Sequence, residues 1–273
     1  MKHVSPALIA ITVFLYLPLF VLVVFSFNRS PVMAFPLTGF TLDWYMLLAG
    51  HRAFISGLIT SFLVSQPVGI LATLLGLAAA LALTAPRLRW RLTFVVLLLV
   101  PFLVPKSVLS IAQVMVMSRI GFERGAIALI LAQTLVVIPF ATVIVAAAAI
   151  RLDPRLEEAA RDLGATAWQS FRRVILPQLK PALGAAYSVG VILSLADLAI
   201  SMFLAGRVQP LSLIVTSQFR RELSPDLNAM QVVVLALTAL LVAANEIARG
   251  RRAVARRRRT APISADQLVE TTP

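Results

Sequence analysis

The chain has 273 residues, 59% of them hydrophobic and 14% charged, with a mean hydropathy of +0.90. That much apolar surface cannot be hidden inside one water-soluble core, which excludes an ordinary soluble domain and points to an integral membrane protein. There is no cysteine and the histidines are only His3 and His51, so disulfides, thiolate catalysis and cysteine-based metal sites are excluded, and the formal charge of +13 lies mostly beside apolar runs rather than in a basic domain suited to nucleic acid.

A helix needs about 20 apolar residues to cross the hydrocarbon core. Six runs meet that length: Pro6–Phe27, Leu58–Ala85, Leu92–Met117, Ala126–Ile150, Ala182–Ala205 and Ala229–Ala248. The expected fold is all-α and polytopic, with six transmembrane helices. The first run follows Lys2 and His3 but is long and lacks a small-x-small cleavage site before Asn28-Arg29-Ser30, so it is read as a retained helix.

Basic residues set the orientation. One side of the membrane collects Lys2, Arg87, Arg89, Arg91, Arg151, Arg155, Arg161, Arg172, Arg173, Lys180 and the tail "RGRRAVARRRR", Arg249 to Arg259. The other has the sparser Arg29, Arg52, Arg119, Arg124, Arg207, Arg220 and Arg221. The positive-inside rule makes the richer side, with both termini, cytoplasmic. Residues 1–260 are read as one membrane domain and 261–273 as a disordered cytoplasmic tail; the basic cluster before it is a topology anchor that can also touch anionic lipid.

Pro18, Pro67, Pro101 with Pro105, and Pro139 fall inside the apolar runs, where each removes an intrahelical hydrogen bond and favours a kink. Ala72-Gly76-Ala80 and Gly184-Ser188 place small residues at helical spacing, the pattern that lets helix backbones approach closely.

Between the fourth and fifth runs lies a polar interruption of about residues 151–181. Asp153 can cap a helix opened by Pro154 and running through Arg155-Leu156-Glu157-Glu158-Ala159-Ala160-Arg161-Asp162-Leu163 to Gly164. Thr166 and Gln169 form a capping box for a second helix from Ala167 to about Ile175, which Pro177 is expected to stop. Leu156, Ala159, Ala160, Leu163, Trp168, Phe171, Val174 and Ile175 recur at three- and four-residue steps, with charges on the other faces. Such a unit lies on a membrane surface, docks into a partner, or is a plain loop, and periodicity alone does not choose among these.

The spacing is more specific. Glu158-Ala159-Ala160, Gly164 and Val174-Ile175-Leu176-Pro177 resemble the EAA loop of permease subunits in binding-protein-dependent ABC importers, E-A-A-x3-G-x9-I-x-L-P, with only Val174 replacing isoleucine. The resemblance implies a type I ABC importer permease fold in the bacterial cytoplasmic (inner) membrane. It also implies that Glu158, Ala159, Ala160, Gly164, Val174, Leu176 and Pro177 belong to a coupling helix meeting a cytoplasmic ATPase. The implied partners are a second permease subunit, an ATPase dimer that holds ATP and Mg, and an extracytoplasmic solute-binding protein. "YLPLFVLVVFSFNRS", "GFTLDWYMLL" and "SPDLNAM" look like the corresponding stretches of spermidine/putrescine-type permeases, second-permease type, and imply a polyamine or a related charged or zwitterionic solute.

Lys106 lies about 14 residues into the third run and Asp197 about 15 into the fifth, which puts both ~21–22 Å from the cytoplasmic end at 1.5 Å per residue. An intramembrane charge at that depth is paired or faces a watery cavity, so the two are candidates for the solute pathway or for an ion pair joining two helices. Polyamine permeases usually carry an acid at the Lys106 position and adjacent acids where this chain has Ala196-Asp197, and a polycation pathway should be rich in carboxylates.

No catalytic motif competes. A G-x-x-x-x-G-K-[ST] phosphate loop is absent, and Ala186-Tyr187-Ser188-Val189-Gly190 lacks the first glycine of a nucleophile elbow and lies in a spanning run. No metal-ligand spacing occurs. The chain therefore reads as a non-catalytic transport subunit that carries no cofactor; the alternative is a secondary active transporter, for which the prolines could mark broken helices but no internal repeat is found.

Overall fold

The computed structural model describes residues 6–30, 35–85, 89–219, 226–240 and 243. Its helices are α1 (Pro6–Ser26), α2 (Asp43–Gly50), α3 (Arg52–Thr84), α4 (Arg91–Leu103), α5 (Lys106–Arg119), α6 (Ala126–Ala149), α7 (Arg155–Asp162) and α8 (Ala167–Ser170). A π-helical turn, Phe171–Ile175, joins α8 to α9 (Leu176–Leu195), followed by α10 (Ala199–Leu204), α11 (Leu211–Phe219) and α12 (Asp226–Leu240). Among the described residues the chain is helical and has no strand beyond a bridge between Asn28 and Phe40.

The centre is a three-helix contact of α3, α6 and α9. Val68 and Ala72 of α3, Leu129 and Ala141 of α6, and Ala186 of α9 are buried there. Lipid offers no hydrophobic drive between helices, so close packing of small side chains holds such a contact together. The Ala72-Gly76-Ala80 face lies against α6, where a Cβ on Gly76 would fall 2.7 Å from Ala141 Cβ and 3.0 Å from Thr142 N. A second cluster joins Leu48 of α2, Phe54 of α3, Leu211 of α11 and Met230 of α12. By contrast no residue of α4 is fully buried, and Phe14 and Phe20 of α1 and Leu97 of α4 are exposed, as lipid-facing surfaces require.

Several threonine hydroxyls inside the spans are satisfied within their own helix. Thr73 Oγ1 donates to Gly69 O at 2.7 Å, Thr134 to Ile130 O at 2.7 Å and Thr142 to Ile138 O at 2.8 Å.

Among the described residues, two helices, α3 and α6, are each long and apolar enough to cross a membrane unaided, and α4 with α5 passes as a third span only as a pair bent by 103°. The span expected over Leu92–Met117, with a kink favoured at Pro101 and Pro105, is thus sharply broken between Leu103 and Lys106. Proline disfavours helical backbone in the residue before it, and Val104, before Pro105, is extended at φ −81°, ψ 135°. Pro18, Pro67 and Pro139, in contrast, sit inside continuous helices.

The second span begins at Arg52, six residues before the expected Leu58, because the His51 Nδ1 accepts the Phe54 N–H at 3.2 Å and caps the helix. The fifth run, expected as Ala182–Ala205, also differs. Its helix already starts upstream of Leu176 and stops at Leu195, leaving Asp197 in a break before α10. Of the sixth, Asp226–Leu240 is described, and beyond it only residue 243, so the basic cluster at Arg249 to Arg259 and the tail 261–273 lie outside the described residues.

The closeness of α3 and α6 gives a test. Gly76→Val should lower the Tm of the purified chain in detergent by an amount corresponding to about 1–3 kcal/mol of overpacking. Gly50→Ala, where an added Cβ meets nothing within 4 Å, should leave it unchanged.

Candidate coupling loop and intramembrane ion pair

The loop of residues 151–181 folds as the local sequence dictates. Asp153 Oδ1 accepts the Arg155 N–H at 3.0 Å and so caps α7. Glu157 and Arg161, one turn apart, pair at 2.6 Å across the exposed face. At the end of α7 the Gly164 N–H reaches Arg161 O at 2.8 Å and the Ala165 N–H reaches Ala160 O at 3.0 Å. This is a Schellman termination, which needs a left-handed residue. Gly164 supplies it at φ +83°.

The capping box then starts α8: Gln169 N–H donates to Thr166 Oγ1 at 3.3 Å, and Thr166 N–H donates to Gln169 Oε1 at 2.9 Å. Pro177 does not stop this helix as expected. The five-residue π turn immediately before it widens the backbone where the proline cannot donate to Arg173, and the helix passes directly into α9.

The exposure of this unit separates its two sides. Glu158, Ala159 and Gly164 are exposed and Ala160 is half-buried. Leu163 is 89% and Trp168 66% exposed, so part of the apolar stripe is left uncovered by the chain's own fold. Val174, Leu176 and Pro177 are half-buried on the stretch leading into α9. Trp168 stacks at a tilt on Phe171, with ring centroids 5.6 Å apart.

The second site lies where two helices are interrupted. Lys106 opens α5 directly after the Val104-Pro105 break, and Asp197 occupies the break between α9 and α10. The two meet: Lys106 Nζ donates to Asp197 Oδ1 at 3.4 Å. Lys106 is placed against the positive end of the α5 dipole, where a cation is unfavourable, and Asp197 supplies the compensating charge. The pair is asymmetric in exposure, with the Lys106 side chain 52% exposed and that of Asp197 4%.

Asp197 has several partners. Its Oδ2 accepts the N–H groups of Ile200 at 2.9 Å and Ser201 at 3.3 Å, and its main-chain carbonyl accepts the hydroxyls of Ser201 at 2.9 Å and Ser212 at 3.0 Å. Behind it, Ser194 Oγ donates to Gln133 Oε1 at 2.5 Å and Gln133 Nε2 donates to Ser201 Oγ at 3.3 Å. A cavity of about 100 Å³ opens beside this network, walled by Pro101, Phe102, Phe140 and Val137 and edged by Lys106, Ser194 and Asp197. Gln133, Ser194, Ser201 and Ser212 are the residues that reading for charge overlooks. The signal available was a polar side chain inside an apolar run, which in lipid has to find a partner.

Comparison with known proteins fits this geometry. The family described as the inner membrane component of binding-protein-dependent transport systems matches residues 72–259. Over 239 residues the chain is 30% identical to the spermidine/putrescine transport system permease protein PotC of Escherichia coli strain K12, covering 87% of this chain and 90% of that protein. The putrescine transport system permease protein PotI of the same organism is 29% identical over 230 residues, 81% of this chain and 82% of that protein. A solved bacterial ABC transporter involved in import of the acidic polysaccharide alginate superposes with a TM-score of 0.66 at 15% identity, over 89% of this chain and 93% of the matched one. That likeness carries the type I importer permease fold, and the family match displaces the gradient-driven alternative. The chain thus belongs to the family of inner membrane components of binding-protein-dependent transport systems, as a multi-pass permease subunit of an ABC importer similar to the spermidine/putrescine permeases.

Proposed function

We propose that this chain forms one wall of a solute pathway and takes its driving force through the loop of residues 151–181, where Glu158, Ala159, Ala160 and Gly164 meet a cytoplasmic ATPase. The observation that carries this reading is the uncovered surface of α7 and α8. A short helix ends in a Schellman turn and leaves Leu163 and Trp168 exposed beside small alanines that permit close approach. The ATPase is a dimer holding ATP and Mg. A second permease subunit completes the pathway, and an extracytoplasmic solute-binding protein delivers the solute. Both termini lie in the cytoplasm, and residues 1–260 act as the permease domain.

Lys106 and Asp197 stand beside the pathway. The solute is a polyamine or a related charged or zwitterionic organic compound, in keeping with the relatives named for spermidine and putrescine. Transport runs by alternating access, with ATP binding and hydrolysis moving the inner gate.

Two experiments test these assignments. Glu158→Ala should weaken ATPase association in co-purification by about fivefold to thirtyfold, the equivalent of 1–2 kcal/mol. Gly164→Ala, with no neighbour within 4 Å of the added Cβ, acts only through the left-handed backbone and should cost about 1–2 kcal/mol there. Hydrolysis should become uncoupled from uptake in the reconstituted importer; normal coupling in both variants argues against the loop assignment.

For the pathway, Lys106→Gln and Asp197→Asn should each change uptake kinetics while the ATPase still co-purifies. Asn keeps an oxygen for the Ile200 and Ser201 N–H groups, so Asp197→Asn removes charge without opening the break. Unaltered kinetics in both variants would sink the placement.

A further inference from the structure

We infer that the cavity beside Lys106 receives an acidic group of the solute, a carboxylate or comparable oxyanion, so that the transported compound is a zwitterion or an anion and not a bare polyamine. This rests on the reading of that cavity as part of the pathway and concerns which chemistry it accepts.

The argument is an inventory of what the cavity has to offer. Asp197 is the acid at its edge, but Oδ2 is held by two main-chain N–H groups, Oδ1 faces Lys106, and the side chain is 4% exposed. Gln133 is buried, with its Oε1 taken by Ser194 and its Nε2 given to Ser201. The hydroxyls of Ser194 and Ser201 are spent inside the same network. The remaining walls named above are apolar or aromatic.

Lys106 differs from all of these. Its ammonium carries three N–H donors, the bond to Asp197 is long at 3.4 Å, and half of the side chain is exposed. Among the described residues that line the cavity, the open ionic capacity is therefore a donor. An incoming amine meets a like charge and finds the carboxylate covered, whereas an incoming carboxylate meets an ammonium with hydrogen bonds to spare. Phe102 and Phe140, edge to face at 5.4 Å, are placed to seat the apolar stem that follows. An acid bound to Lys106 also competes with Asp197 for the same ammonium, so arrival of solute loosens the link between the start of α5 and the break before α10.

The chain contains no cysteine, so a single introduced thiol reports the local field. Leu193→Cys, or Phe102→Cys as a second position should the first fail to assemble, is placed in the importer with its partners in lipid nanodiscs. Modification of this chain by an anionic sulfonatoethyl and a cationic trimethylammonioethyl methanethiosulfonate is followed by mass, each rate being divided by that with 2-mercaptoethanol. The anionic reagent should react about tenfold faster, within the range by which charged clefts concentrate an opposite charge. Lys106→Gln should abolish the preference and Lys106→Glu reverse it.

A cationic preference with Lys106 in place, or a ratio that Lys106→Gln leaves unmoved, overturns the inference while the pathway reading stands. Reaction with neither reagent at either position shows a cavity closed to water and overturns the pathway reading together with the inference. Faster uptake of spermidine than of 4-aminobutyrate by the native importer overturns the substrate class alone.

Discussion

In a hydrocarbon medium every main-chain N–H and C=O has to find a partner inside the protein, and a helix can be interrupted only where neighbouring groups take over its lost bonds. The centre of this chain is organised around that constraint. α4 gives way to α5 at Pro105, α9 gives way to α10 at Asp197, and the two interruptions are brought to the same place. The Asp197 carboxylate serves the N–H groups at the start of α10, its carbonyl serves two serine hydroxyls, and its remaining oxygen faces the ammonium that opens α5. Remove the Asp197 carboxylate and the N–H groups at the start of α10 would stand unsatisfied in an apolar setting.

The rest of the fold makes that meeting possible. The α3, α6 and α9 contact, close enough at Gly76 to exclude a methyl group, supplies a frame on which Gln133, Ser194 and Asp197 can be held in register. A pair whose acid is buried is a poor source of stability, since desolvation of the carboxylate opposes the attraction. Its half-exposed lysine and the cavity beside it are the features on which the proposed pathway rests.

Much of the loop was legible because each of its turns is encoded within a few residues. Asp153, Gly164 and the Thr166–Gln169 pair each have a local role that the structure realises with the hydrogen bonds the types suggest. The juxtaposition of Lys106 and Asp197 could be approached by counting depth along two helices. What could not be read was the geometry of interruption. Proline was an ambiguous marker: Pro105 accompanies a break, Pro67 and Pro139 sit in unbroken helices, and Pro177 is absorbed by a π turn. The break at Asp197 carries neither proline nor glycine and depends on hydroxyls from Ser201 and Ser212, a tertiary circumstance.

The absorption of Pro177 makes one uninterrupted helical rod out of α8, the π turn and α9, from Ala167 beside the exposed loop to Leu195 beside the break. At roughly 1.5 Å per residue its length is about 40 Å. A lever of that length needs little motion at its pivot: a tilt of about 10° sweeps the far end through about 7 Å by the same rise per residue. That is about twice the 3.4 Å between Lys106 and Asp197. The π turn lies near the loop end of the rod, so the longer arm, with Pro181 inside it, runs from there to the break that holds Asp197.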